Sequence, residues 1–129
     1  MLVPSISSEH LSQLSPTALA YVGDAVYELY ARCYYLAPPN RISTHHRRVV
    51  DVVKAETQSA YLAVWEPYLD DEEQNIIRRG RNAATGKPKR VSLDIYRRAT
   101  GFEALIGYLY LTNRPRLEEL LSYLPLDEP

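Results

Sequence analysis

The sequence predicts an all-helical domain, and two observations carry that prediction. No stretch alternates apolar and polar residues for long enough to form a strand. Caps, prolines and glycines instead cut the chain into segments of helical length. A chain of 129 residues has room for one hydrophobic core, so residues 1–129 read as a single domain with its core over about 15–124.

The elements follow in order. Ser15 and Pro16 supply an N-cap and a proline at the first helical position, opening a helix that runs to about Leu36. Ala37-Pro38-Pro39-Asn40 ends it. Ser43 or Thr44 is placed to cap a second helical region from His45 to about Trp65, with room for an internal break, and Pro67 closes it. Asp70-Asp71-Glu72-Glu73 suits the positive end of a third helix; Arg78 and Arg79 suit its other end, with Gly80 as the expected stop. Asn82 to Val91 is polar, basic and interrupted by Gly86 and Pro88, which predicts an exposed loop. Ser92 caps a long helix to about Thr112, and Arg114-Pro115-Arg116 starts a last short one ending near Leu124.

Composition narrows the function. No apolar run approaches the roughly 18 residues that a bilayer span requires. The first residues lack the basic start and apolar stretch of a secretory signal, so the cytoplasm is the expected address. A single cysteine, Cys33, rules out an internal disulfide and a cysteine-built metal site. The net charge of -1 hides a strong asymmetry. Eight of the 15 lysines and arginines fall between Arg78 and Arg98: Arg78, Arg79, Arg81, Lys87, Lys89, Arg90, Arg97 and Arg98, opposed there only by Asp94. A weaker cluster, with His45, His46, Arg47 and Arg48, lies between Arg41 and Lys54. Such separation can hold a polyanion locally, although a solvated charged face would read the same.

Two acids keep unusual company. On a helical wheel of the first helix, Leu19, Val22, Val26, Leu29, Tyr30 and Cys33 fall in one apolar arc, with Asp24 and Glu28 opposite. Both acids could simply be solvated, but Asp24 has Ala20, Gly23 and Ala31 near it. Small residues there, including a mid-helix glycine costing roughly 1 kcal/mol against alanine, suggest close approach by another helix or a ligand. From Tyr96 to Leu111 the one acid is Glu103, set within the apolar face and flanked in sequence by Gly101 and Gly107. A buried carboxylate must protonate, pair or bind metal, so a structural ion pair stays open beside a functional role. If the two acids meet, their oxygens suit a hard cation, magnesium or manganese, that binds phosphate and activates water. His45 and His46 are adjacent and point apart on a helix, so they make a poor chelating pair.

The same residues carry a family resemblance. Tyr21-Val22-Gly23-Asp24-Ala25-Val26 resembles the signature of the ribonuclease III family, and Phe102-Glu103-Ala104-Leu105-Ile106-Gly107 with Tyr110-Leu111 resembles its second motif. With Arg79-Gly80-Arg81-Asn82-Ala83 between them and no appended domain expected, the pattern over about residues 15–124 is similar to the small form, Mini-ribonuclease III. The resemblance implies the helical endonuclease fold of that family. It also implies metal-binding catalytic roles for Asp24 and Glu103. Two further acids that ordinary members carry before the first aspartate are Thr17 and Ala20 here, and an aspartate three residues before the glutamate is Thr100. Either water completes the metal shell or Glu28 contributes as a further ligand. The implied activity is magnesium-dependent (or manganese-dependent) cleavage of double-stranded RNA by a homodimer, on precursor ribosomal RNA of the large subunit. Arg78, Arg79, Arg81, Asn82, Lys87, Lys89 and Arg90 are the expected RNA-binding residues, contacting phosphates and 2′-hydroxyls. The alternatives are a catalytically silent RNA-binding or ribosome-associated relative and a helical scaffold with no RNA role.

Overall fold

The computed structural model describes residues 3–86 and 88–127. Seven α-helices and one short 3-10 turn make up the regular structure among them: α1 (Ser8–Ser12), α2 (Pro16–Tyr34), α3 (Ile42–Val53), α4 (Ala55–Trp65), the 3-10 turn (Glu66–Tyr68), α5 (Asp71–Ala83), α6 (Leu93–Thr112) and α7 (Arg114–Ser122). None of these helices is long and apolar enough to cross a membrane.

Local chemistry sets most of the boundaries. The Ser15 hydroxyl accepts from the Ala18 amide at 3.1 Å, and Ser92 caps α6 through the Ile95 amide at 3.2 Å. Asp70 and Glu73 form a reciprocal capping box at the start of α5, at 2.8 and 3.0 Å. Three expectations change. The helix expected from His45 begins earlier, at Ile42, with no side-chain cap at Arg41. A short α1, capped by Ser7, precedes the first expected helix. Gly80 does not stop α5, which continues to Ala83, because that glycine is buried where α5 crosses α6. The break allowed within the second region falls at Lys54, whose extended backbone (ψ 154°) separates α3 from α4.

Helix α6 is the axis of the molecule, flanked by α2, α5 and α4. Phe102 on α6 is fully buried, stacked on Trp65 of α4 at 4.5 Å and edge-on to Tyr27 of α2 at 5.2 Å. Trp65 donates its indole N–H to the Leu120 carbonyl at 2.7 Å and so ties α4 to α7. Buried Glu73 is paired with Arg116 at 2.8 Å, joining α5 to α7.

The apolar arc expected on α2 is rotated about the helix, with Leu19 shared between the expected and the buried face. The buried residues are Leu19, Ala20, Gly23, Tyr27 and Ala31, whereas Leu29 and Cys33 are exposed and Val22, Val26 and Tyr30 are only partly covered. Small residues won because α2 and α6 cross nearly backbone to backbone. A Cβ on Gly23 would stand 1.7 Å from the Glu103 carbonyl oxygen, and one on Gly107 would stand 1.9 Å from the Leu19 carbonyl oxygen. Only hydrogen fits at either position.

Candidate active site

That crossing places Asp24 of α2 beside Glu103 of α6. Their side chains come within hydrogen-bonding reach of each other. Burial raises the Glu103 carboxyl to about 9, and the hydrogen bond and negative charge of Asp24 push the same way. Asp24 opens to solvent, whereas Glu103 is mostly covered. The two therefore form the lip and floor of one acidic site. Among the described residues Glu103 has no ion-pair partner: it meets another carboxyl and an amide, Gln58, whose Nε2 lies 3.5 Å from Glu103 Oε2.

This pair fits a cation. Two carboxyls pressed together need a proton between them, and a divalent ion in that place would neutralise both. The donors are oxygens, which suits magnesium or manganese over softer metals. A buried acceptor, Gln58 Oε1, stands unpaired nearby on the same side chain that reaches Glu103. Among the described residues, no group of three or more histidine, cysteine, aspartate or glutamate side chains is arranged to hold a metal. Glu28 accordingly does not join the pair. It is held by Arg32, one helical turn on, at 2.7 Å in an exposed ion pair.

The expected RNA-binding residues divide into those the fold gathers and those it does not. Arg78 and Arg81 line two adjoining clefts, of about 480 and 360 Å³. Arg98 joins them in the first, Asn82 and Arg97 in the second. Arg78 is steadied by Asn75 at 2.5 Å, and Arg81 lies 3.5 Å from Asp94. Arg79 and Lys89 are exposed. Arg90 is turned to α4, where its two terminal nitrogens clasp Glu56 at 2.7 and 3.1 Å. Lys87 lies outside the described residues.

Two kinds of residue escaped the sequence reading. Arg97 and Arg98 were counted as charge, but only the fold shows that they share clefts with Arg78 and Arg81. Gln58 had a legible signal. With Leu62 and Trp65 it occupies positions i, i+4 and i+7 of α4, and all three are buried, so a glutamine interrupts an apolar stripe.

The family model described as the Ribonuclease III domain matches residues 17–114, a span that contains both acids, nearly all of α2 and the whole of α3 to α6. The chain belongs to the ribonuclease III family, a family of RNA endonucleases. Within it, the chain is similar to proteins named Mini-ribonuclease 3. It is 58% identical over 113 residues to the one from Thermosynechococcus vestitus, covering 87% of this chain and 74% of that relative. It is 52% identical over 118 residues to one from a Synechocystis species, covering 92% and 82%. A crystal structure of a Fusobacterium nucleatum protein matches with a TM-score of 0.81 at 31% identity, over 86% of this chain and 93% of that one.

Proposed function

We propose that this chain hydrolyses phosphodiester bonds of double-stranded RNA with Asp24 and Glu103 holding magnesium, or manganese in its place. The observation that carries the reading is the meeting of those two carboxyls across the α2–α6 crossing, at a place where each alone would be hard to explain. When bound, the cation would neutralise phosphate oxygen and lower the pKa of water for in-line attack. The chain's own part is to fix the two carboxylates. The glycines at the crossing set their separation, and burial favours the protonated Glu103 until a cation competes with the proton.

Substrate grip is assigned to the rim lined by Arg78, Arg81, Asn82 and Arg97, with exposed Arg79 and Lys89; Lys87, expected in the same role, lies outside the described residues. Guanidinium groups there suit phosphate oxygens, which favours recognition of duplex shape over base sequence. Arg90 and Arg98 belong to this group only if phosphate displaces their carboxylate partners, Glu56 and Glu66. We assign the chain to a homodimer in the cytoplasm and to maturation of large-subunit precursor ribosomal RNA. The dimer is supported by exposed Tyr21 and Leu29 on the outer face of α2.

The test is duplex RNA incubated with the protein, with and without magnesium. Cleavage that needs magnesium is expected. Binding without cleavage would select the catalytically silent relative, and neither would select the scaffold. Neutralising Arg78 and Arg81 together should weaken duplex binding and flatten its dependence on salt, because phosphate contacts release counterions.

A further inference from the structure

We propose that Gln58 is a positioning residue for Glu103, its side-chain N–H tying that carboxyl to the joint between α3 and α4. The inference rests on the reading of Asp24 and Glu103 as a cation-holding pair. Gln58 is 3% exposed, in a stripe where leucine would pack as well. Its Nε2 donates to the Val53 carbonyl at 2.8 Å and lies within reach of Glu103 Oε2 at 3.5 Å. Both neighbours are acceptors, which fixes the amide with nitrogen toward them and oxygen away.

The joint explains why such a group is needed. Extended Lys54 interrupts the helix, so the last carbonyls of α3 have no following turn to accept from. Gln58 serves one of them while its backbone amide, bonded to the Lys54 carbonyl at 3.1 Å, starts α4. The side chain is thus anchored at one end, and its amide can settle Glu103 in one rotamer. A glutamine placed only to cap Val53 would not need to reach Glu103. Its Oε1 is buried with no hydrogen-bond partner. Buried acceptors are seldom left so, and a water molecule entering with the cation would satisfy it.

Gln58→Met separates the roles, because it keeps length and bulk while removing the donor and the orphan acceptor together. Partners that orient metal-holding side chains typically contribute about 10–100-fold to metal affinity or activity. The variant is therefore expected to cut duplex RNA with kcat lowered by at least about 10-fold and KM within about twofold. Calorimetry without RNA should show weaker binding of manganese, beyond the few degrees of melting midpoint lost because the Val53 carbonyl gives up its donor. Wild-type kcat and manganese affinity in the variant would overturn the proposal, as would a defect confined to KM or to the melting midpoint.

The contact can also be read in wild type, independently of how the variant folds. The Gln58 side-chain amide resonance should move when magnesium alone is added, and also in Glu103→Ala. A resonance that ignores both would overturn the proposal. Failure of wild type to cut RNA in magnesium would instead strike the underlying function, while the response to Glu103→Ala still decides the contact.

Discussion

The inner and outer faces of α2 obey different rules. Inside, Ala20, Gly23 and Ala31 lie against α6, and Tyr27 reaches past them to give its hydroxyl to the Val52 carbonyl at 2.8 Å. Outside, Tyr21 and Leu29 are 83% and 63% exposed. The buried face carries glycine and alanine beside Leu19 and Tyr27, so apolar bulk alone does not pick it out. Hydrophobic area drives burial in most helix pairs, but here the limiting quantity is the distance between two backbones. That distance places a carboxyl from each helix within hydrogen-bond reach, which larger residues at the crossing would prevent.

The inner face should therefore be the intolerant one. Gly23→Ala would gain roughly 1 kcal/mol of helix propensity, yet it puts a methyl group 1.7 Å from a backbone oxygen. Neither backbone can yield without separating α2 from α6. A net loss of at least about 3 kcal/mol is expected, near the upper end for overpacked sites. Leu29→Ala on the outer face should cost no more than about 0.5 kcal/mol. Thermal or denaturant melts of the two variants decide the matter, and equal losses would erase the distinction between the faces.

This contrast also shows where the amino-acid sequence is readable. Ser15-Pro16, Ser92 and the Asp70/Glu73 box act through neighbours three residues away, so the starts of α2, α6 and α5 can be read directly. The apolar arc on α2 cannot, because a helical wheel scores bulk and does not know that Gly107 waits on another helix. Asp24 and Glu103 were nonetheless legible, since small residues beside an acid report close approach even when the partner is unknown. Glu28 sits in an exposed pair with Arg32, a partner that its spacing from Asp24 does not reveal. Gln58 was passed over because its partners, Val53 and Glu103, converge only through the break at Lys54.

Charge at the crossing can be removed without disturbing its spacing. Asp24→Asn should lower cleavage at saturating RNA about a thousandfold, or ~4 kcal/mol of transition-state stabilisation, as expected when a cation loses one of two charged holders. Its melting temperature should stay close to wild type because Asp24 opens to solvent. Single-turnover cleavage in magnesium gives the answer, and unchanged rates would remove Asp24 from the mechanism.

Glu103 should differ from Asp24 in how it ties stability to pH. Its carboxyl is raised from 4.5 to about 9 in the folded chain. A group raised in this way contributes stability that is complete below about 4.5 and is lost as pH rises toward 9. Wild type without divalent cations should thus melt at lower temperature at pH 8 than at pH 5 through this group. Glu103→Gln should lack that component, melt a few degrees above wild type at pH 8, and gain little from magnesium. Parallel melting curves for the two proteins across that range would show that Glu103 is not held protonated by its surroundings.

The smallest effect on folding is expected at the outer face, and it tests whether that face has a partner of its own. Tyr21 and Leu29 are large apolar side chains left in solvent on the outer face of α2, beside the exposed Glu28–Arg32 pair. In a homodimer the same patch would meet its copy about a two-fold axis, so each substitution acts twice. Leu29→Lys would then place two like charges close together in a desolvated interface, which costs far more than the same change on a wetted surface. The expected result is a folded chain with a nearly unchanged helical spectrum that sediments as a monomer at concentrations where wild type is dimeric. Cleavage should fall with the dimer if paired sites are needed to cut both strands, leaving nicked duplex as the main product. A variant that stays dimeric and cuts both strands would move the interface off this face. Tyr21 and Leu29 would then be apolar residues tolerated in water, and the contrast between the two faces of α2 would rest on the α6 crossing alone.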